Sequence, residues 1–357
     1  MPVPALEWIG GFTGHLKIVD QTALPEKLSF IEINSTEPLL AAIKRLAVRG
    51  APAIGIAAAF GLFLGIRESR ASGKQLLSEI DKVSALLFSV RPTAVNVKNA
   101  LARMKKIAAA SSAKSANEIK SNLFREAQMI LEEDRQSCRK LGENCQEFIR
   151  DGDTVLTNCN AGSLATGGIG TALSGIYVAK ELGKKVRVFA CETRPLLQGA
   201  RLTTYELMQE GIDVTLICDN TAGTIMKSGK ISSVFVGADR IASNGDSANK
   251  IGTYPLSVLA REHAVPFYIV APLSSFDFSI KTGDEIPIEE RSPEEVTEIC
   301  GKKIAPRGVK VFSPAFDVTP ARFITAIICE KGAVRKISSK TLTQFAKPAR
   351  SAYEEER

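Results

Sequence analysis

The chain has 357 residues, 45% hydrophobic and 24% charged, with a net charge of +7. That is long enough for two domains and a large core, and its composition is that of a globular protein rather than a disordered one. The basic residues are spread out and aromatics are only 6%, so a solvated basic surface stands ahead of a nucleic-acid-binding one, and a phosphorylated metabolite would also benefit from the positive balance.

Seven cysteines (Cys138, Cys145, Cys159, Cys191, Cys218, Cys300 and Cys329) and two histidines are present, with no CxxC pair. A structural zinc cluster is not expected from that set. Cys191, Cys218 and Cys329 lie in apolar runs and read as small core residues. The first residues, Met1-Pro-Val-Pro, show neither a basic segment nor an apolar run, so no signal peptide is expected. The apolar segment 51–65 is short for a membrane span and carries Gly55, Gly61 and Gly65. A reduced, cytoplasmic protein without membrane contact is the expectation.

In chain order, segments 8–9, 16–20 and 28–33 read as short strands of a small antiparallel sheet. A helix opens after Ser35 and runs to Leu46. Pro52 begins a tightly packed helix of small residues, with Arg49-Gly50-Ala51 at its N-terminus as a candidate anion site. Residues 74–88 form an amphipathic helix through Leu76, Ile80, Val83 and Leu87. The stretch 91–96 breaks it and starts another helix to Ala110. Segment 108–116 reads as a linker, and a long connecting helix follows from Ala116 to about Ile149.

Strands and helices then alternate. Strands are predicted at 154–157, 186–191, 214–218, 233–237, 266–271 and 309–312, with helices at 171–182, 199–210, 222–228 and 249–263. This is the pattern of a parallel sheet covered on both faces. The fold class is therefore α/β: a small N-terminal domain of short antiparallel strands and helices over residues 1–125, a Rossmann-like parallel-sheet domain over 126–345, and a charged tail over 346–357.

The strand at 154–157 stops at Asn158, Cys159 and Asn160. A loop with Gly162, Gly167, Gly168 and Gly170 follows, then a helix. Ligands sit at such strand tips, and the next helix offers free N–H groups to an anion. For Cys159, a core thiol, a nucleophile and a polarising thiol or thiolate all compete, and a nearby helix N-terminus would lower its pKa. Asp239 is expected at the tip of the strand 233–237, as a half-buried general acid or as a turn cap paired with Arg240. Asn249 and Lys250 are expected to open a helix and hold a phosphate, or to be ordinary surface residues. Gln198 would bond a substrate hydroxyl or cap a helix. Glu192 stands where a dinucleotide fold keeps its ribose-binding acid, but the loop lacks a compact GxGxxG, so NAD binding is weakly supported. Neither His15 nor His263 lies near a Cys–His dyad.

The motifs RGAPAIGIAAA (49–59), RPTAVN (91–96), TNCNAGSLAT (157–166), ETRPLLQGARLT (192–203), GADRIA (237–242), NGDSANKIGT (244–253), IPIEER (286–291) and PAFDVTP (314–320) stand in the chain in that order. Together they closely resemble the S-methyl-5-thioribose-1-phosphate isomerase family of methionine salvage, over residues 8–332. More distant relatives are the ribose-1,5-bisphosphate isomerases and the regulatory subunits of the eukaryotic translation-initiation exchange factor. The resemblance implies an aldose–ketose isomerase that uses no cofactor and no metal, works as a homodimer and takes a sugar phosphate. It implies that Asp239 donates a proton and Cys159 stabilises the transition state. It assigns substrate binding to Arg49, Gly50, Ala51, Arg91, Gln198, Asn249 and Lys250. Asn158 and Ala161 stand where the family carries His and Thr, Val97-Lys98-Asn99 where an aromatic is common, and Ser313 where Asn is usual. These departures bear on the 5-substituent of the sugar: a 5-deoxyribose 1-phosphate or ribose 1,5-bisphosphate isomerase, or a non-catalytic sugar-phosphate or nucleotide sensor, remains an alternative.

Overall fold

The computed structural model describes residues 2–91 and 94–347. Pro92 and Thr93 of the RPTAVN motif, and the charged tail from residue 348, lie outside the described residues. The chain opens with strands β1 (Leu6–Ile9), β2 (His15–Val19) and β3 (Phe30–Ile33), which form an antiparallel sheet. Helices α1 (Thr36–Lys44), α2 (Ala51–Arg67), α3 (Gly73–Val90), α4 (Val95–Ala110) and α5 (Ala116–Cys145) follow. The Ala/Ser stretch expected as a linker is helical as far as Ala110.

Helix α2 is apolar all round, and almost every residue from Ala53 to Leu64 is buried. A helix with no polar face has to be surrounded, and α1, α3, α4 and α5 all pack on it. At its far end an aromatic cluster closes the core. Trp8 stacks on Phe60 at 5.0 Å, while Phe63 meets Phe124 of α5 at 4.9 Å. Helix α5 starts from a full capping box between Ser115 and Glu118. Its 30 residues span roughly 45 Å at 1.5 Å per residue. The first half buries Ile119, Leu123, Ala127 and Leu131 in the N-terminal core, and the second half buries Leu141 and Cys145 in the other core. The expected division between residues 125 and 126 falls inside this helix.

The second half of the chain builds β4 (Thr154–Thr157), α6 (Ala172–Glu181), β5 (Arg187–Cys191), α7 (Thr204–Gln209), β6 (Asp213–Ile217), α8 (Ala222–Lys227) and β7 (Ser233–Val236). It continues with β8 (Arg240–Ala242), β9 (Ser247–Lys250), α9 (Thr253–Glu262), β10 (Phe267–Val270), β11 (Phe276–Asp277), α10 (Glu294–Thr297) and the hairpin β12 (Glu298–Ile299) and β13 (Lys302–Lys303). Then come β14 (Phe316–Thr319), β15 (Ala326–Cys329), β16 (Gly332–Val334) and α11 (Ser339–Ala346). Among the described residues the main sheet has the order β16-β15-β10-β7-β4-β5-β6, parallel except at β16. Strands β4, β7, β10 and β15 are buried at every residue. A sheet covered on both faces requires such unbroken apolar runs. The α/β class and the Rossmann-like C-terminal sheet are as expected.

Three expectations are corrected. The segment 309–312 is not a strand: Val309 and Phe312 are 48% and 80% exposed, and the chain there covers no core. The sheet instead takes β15, whose four residues AIIC are all buried. Asn249 and Lys250 do not open a helix. They end β9, which pairs with β8 and β14 in a second, four-stranded sheet. Cys218 is exposed rather than in the core, because β6 is an edge strand and Cys218 lies just past its end.

Replacing Phe63 with Ala should cost about 3–5 kcal/mol, since the ring is fully buried in the aromatic cluster. Trp8, the chain's one tryptophan, touches that ring and reports the unfolding by fluorescence in urea. A loss below about 1 kcal/mol would mean that the cluster is not cooperative with the core.

Candidate active site

Strands β4 and β7 are parallel neighbours, so their carboxyl tips lie side by side. The chain leaves β4 into Asn158-Cys159-Asn160 and leaves β7 into Gly237-Ala238-Asp239. Across from them, Gly50 caps the N-terminus of α2. A cleft of about 800 Å³, open to solvent, lies between these ends. Arg49, Gly50, Ala51, Arg91, Cys159, Gln198, Asp239, Asn249 and Lys250 all line it. All nine candidates from the sequence thus meet in one place, although they are spread over 202 positions of chain, from 49 to 250.

Gly50 is required by contact as well as by conformation. Its φ is +94°, and a Cβ there would come within 2.5 Å of the Ala165 backbone. The start of α2 is thereby pressed against the glycine-rich loop, and Gly50, Ala51 and Pro52 at that end line the cleft, where the first N–H groups of a helix have no partner within it.

That loop is not the open anion cradle its glycines suggest. Gly162 and Gly170 pair across its neck. The Ser163 N–H donates to Glu206, the Gly167 N–H to Asp134 at 2.6 Å, and the Gly168 and Gly170 N–H groups to the Thr166 hydroxyl. These donors are consumed inside the loop. It forms one wall of the cleft.

Cys159 is held by its surroundings in an unusual conformation. Its φ is +66°, in the left-handed region. Its N–H donates to the Thr193 hydroxyl at 2.7 Å, and that hydroxyl faces the Asn158 side-chain oxygen at 3.0 Å. Thr193 is itself at φ +63° although β-branched, and is clasped by Asp219, which accepts from the Thr193 and Arg194 N–H groups at 2.7 Å each. Left-handed residues of this kind cost about 1–3 kcal/mol each and cluster at functional sites. The Cys159 thiol donates to Gln198 Oε1 at 3.2 Å, so Gln198 bonds the thiol instead of capping a helix. Burial pushes the Cys159 thiol up in pKa, against the pull of Lys250 and Arg49. The expectation that a helix N-terminus lowers it is overturned: α6 begins only at Ala172, and water exclusion outweighs the nearby cations.

Asp239 is raised in pKa by burial, with Lys250, Arg91 and Arg49 opposing the shift. Its N–H is fixed to the Ala248 carbonyl at 2.9 Å. Arg240 pairs with Asp277 at 3.8 Å. Lys250 donates to the Ala315 carbonyl at 3.0 Å and lies 4.6 Å over the Phe316 ring, and burial lowers its pKa. Asn249 donates to Thr253 at 3.0 Å. Arg91 lies 3.7 Å from Glu289 and has a buried Nε without a partner among the described residues. Arg49 is buried, and burial lowers its pKa too. Its Nη1 donates to the Asn160 carbonyl at 2.9 Å, Nη2 donates to Asn160 Oδ1, and Nε donates to Gln21 at 2.9 Å.

Sequence reasoning did not single out Asn160, Thr193, Glu206 or Arg291. Arg291 lines the cleft and pairs with Glu289 and Glu295. It sits in the IPIEER motif, which was the available signal. Asn158 is 2% exposed and joins the tip of β4 to the β9–α9 corner, facing the Lys250 and Ile251 carbonyls and Thr253 at 3.3–3.4 Å. Among the described residues no group of three or more His, Cys, Asp or Glu side chains is placed to hold a metal ion, and no helix is long and apolar enough to cross a membrane.

The raised thiol pKa predicts slow alkylation of Cys159 by iodoacetamide at neutral pH, with exposed Cys300 reacting first. The rate at Cys159 should climb as pH rises past the ordinary thiol range, because the thiolate appears only there. Peptide mass mapping over a pH series checks this; preferential labelling of Cys159 at pH 7 would show a thiolate instead.

Residues 47–336 match the initiation factor 2 subunit family. A 5-deoxyribose 1-phosphate isomerase from Moorella thermoacetica is 51% identical, over 94% of this chain and 95% of its own. A methylthioribose-1-phosphate isomerase from Geotalea uraniireducens is 52% identical, over 91% and 94%. The crystal structure of 5-methylthioribose 1-phosphate isomerase from Pyrococcus horikoshii superposes with a TM-score of 0.88 at 43% identity, covering 96% of each chain. The chain belongs to the initiation factor 2 subunit family and, within it, to the group of the methylthioribose-1-phosphate isomerases.

Proposed function

We propose that this isomerase converts 5-methylthioribose 1-phosphate to 5-methylthioribulose 1-phosphate, with Asp239 as the acid and Cys159 as a polarising thiol. The observation that carries the reading is the cleft itself. An aspartic acid with raised pKa and a protonated cysteine line one cavity together with Arg49, Arg91 and Lys250.

The substrate is an aldose closed by an anomeric phosphate ester, so its ring cannot open by loss of an anomeric hydroxyl proton. The ring C1–O bond breaks as the ring oxygen takes the proton of Asp239. The hydrogen on C2 ends on C1, the C2 hydroxyl becomes the ketone, and its proton returns to the Asp239 carboxylate. Atoms and charges balance with no external oxidant. The hydrogen moves either as a hydride or through an enediolate. A neutral acid is required at the first step, and desolvation shifts Asp239 in that direction. Burial also strengthens each charge on the transferring centre, because little water remains to screen it.

The phosphate is assigned to Arg49, Arg91 and Lys250, with the N–H groups at Gly50 and Ala51. Gln198 and Asn249 are assigned to the sugar. Because Gln198 Oε1 takes the Cys159 thiol proton in a hydrogen bond, a substrate hydroxyl competes for that thiol when bound. The reading includes a homodimer and a cytoplasmic location, as the family resemblance implies.

A 5-deoxyribose 1-phosphate isomerase is the second reading, favoured by the 51% identity to such an enzyme. The two sugars differ by one methylthio group, worth roughly 1–3 kcal/mol of pocket contact. Comparing kcat/KM on 5-methylthioribose 1-phosphate, 5-deoxyribose 1-phosphate and ribose 1,5-bisphosphate decides between them. Turnover of none would leave a sugar-phosphate sensor.

Asp239→Asn should lower kcat by about 10³-fold or more while substrate binding stays within a few fold. Near-normal turnover would remove the acid role. In the wild type the active form is the protonated one, so kcat/KM should fall as pH rises through the raised pKa of Asp239, above the usual aspartate range. Cys159→Ala should lower kcat by about 10²-fold or more; unchanged kcat would take the thiol out of the mechanism.

A further inference from the structure

Behind the cleft, on α7, Glu206 is only 3% exposed. Four donors converge on its carboxylate. Asn160 Nδ2 reaches Oε1, while the Ser163 N–H at 2.8 Å, the Ser163 hydroxyl at 3.0 Å and the Tyr177 hydroxyl at 2.9 Å reach Oε2. The nearest loop residue, Gly162, has no side chain, and a Cβ there would overlap the carboxylate at 2.1–2.2 Å. The fold has therefore cleared a space for this carboxylate, and burial raises its pKa while the donors from Asn160, Tyr177 and Ser163 pull against that rise in favour of the ionised form. Nothing in the reaction derived above uses it.

The chain of contacts leads from Glu206 to the cleft. Asn160 is 4% exposed and gives its amide N–H groups to Glu206 and to Thr203 at 3.1 Å. That fixes the amide so that its oxygen points the other way, at Arg49, which also bonds the Asn160 carbonyl. Thr203 in turn donates to the Cys159 carbonyl at 2.6 Å. Arg49 carries a full charge at 5% exposure, and Glu206 is one of the few anions near enough to favour that charge. A buried guanidinium without a counter-charge costs several kcal/mol.

We propose that Glu206 is a positioning residue: through Asn160 it fixes the amide that aims the Arg49 guanidinium at the substrate phosphate, and it supplies the buried negative charge that Arg49 needs. The inference rests on the assignment of Arg49 to the phosphate. Glu206 does not touch the substrate. Its loss acts on phosphate affinity and leaves the proton-transfer step nearly intact.

The test is a double-substitution cycle between Arg49→Lys and Glu206→Gln, read by the Kd for inorganic phosphate in calorimetry and by KM and kcat for the sugar phosphate. Glu206→Gln keeps the volume, removes the charge and turns an amide N–H toward the donors. It should raise KM and the phosphate Kd about 10-fold or more while kcat changes less than about 3-fold. In the Arg49→Lys background the same change should add less than about 2-fold, because the group it aims is gone. Equal losses in both backgrounds, or a loss confined to kcat or to thermal stability, would overturn the proposal. If Glu206→Gln does not fold, Glu206→Asp keeps the charge with a shorter reach. It should raise KM about 3-fold or more in the wild-type background and not in the Arg49→Lys one; additive losses refute the idea equally. Wild-type turnover on the three sugar phosphates tests the assigned reaction independently, and phosphate binding is read whether or not any of them is turned over.

Discussion

The guanidinium of Arg49 lies between two hydrophobic cores, and much of the cleft depends on where it is held. It comes from the helical N-terminal half, yet two of its three hydrogen-bonding nitrogens are spent on Asn160 of the C-terminal half. Removing such a cation from water costs several kcal/mol, so it is tolerated only where acceptors and opposite charge are already in place. Asn160, Gln21 and Glu206 meet that need. The same contacts pin the N-terminus of α2 against the tip of β4, and Gly50 makes the approach sterically possible. The two halves therefore meet at the place where the chemistry is proposed to happen.

Burial of the groups around that contact sets the acid–base character of the cleft. Desolvation raises Asp239 and Cys159 and lowers Lys250 and Arg49. Each shift favours the neutral form, and a bound phosphate dianion would act against it at the cations. The strained turns at Cys159 and Thr193 add rigidity. Thr193 is held by Asp219 on one side and holds the Cys159 N–H on the other, so the thiol direction is fixed by backbone and hydroxyl contacts, not by packing alone.

Asn158 shows how a departure from a family motif can be absorbed. It stands where a histidine is usual, next to the candidate thiol. In the fold its amide is occupied by carbonyls of the β9–α9 corner and by Thr253 and Thr193. It braces the end of β4 against the element carrying Lys250. A change at this position can thus alter the spacing between the thiol and Lys250 without adding or removing a charged group.

Much was legible in the sequence because it is encoded locally. The short, largely apolar runs at β4, β7 and β10 announce a buried parallel sheet, and the periodic stretch of α5 announces a long helix. The ordered motifs identify the family and with it nine residues that line the cleft. What only the tertiary structure decided is whatever depends on distant residues or on exclusion of water. The run at 309–312 resembles a strand but finds no core to cover, whereas β15 does. Asn249 and Lys250 resemble a helix start until β14, some 65 residues later, pairs with them. The glycine-rich loop resembles an anion cradle until Glu206, Asp134 and Thr166 take its N–H groups. The sign of the Cys159 shift was likewise invisible, because desolvation is a property of the assembled cleft and of no segment within it.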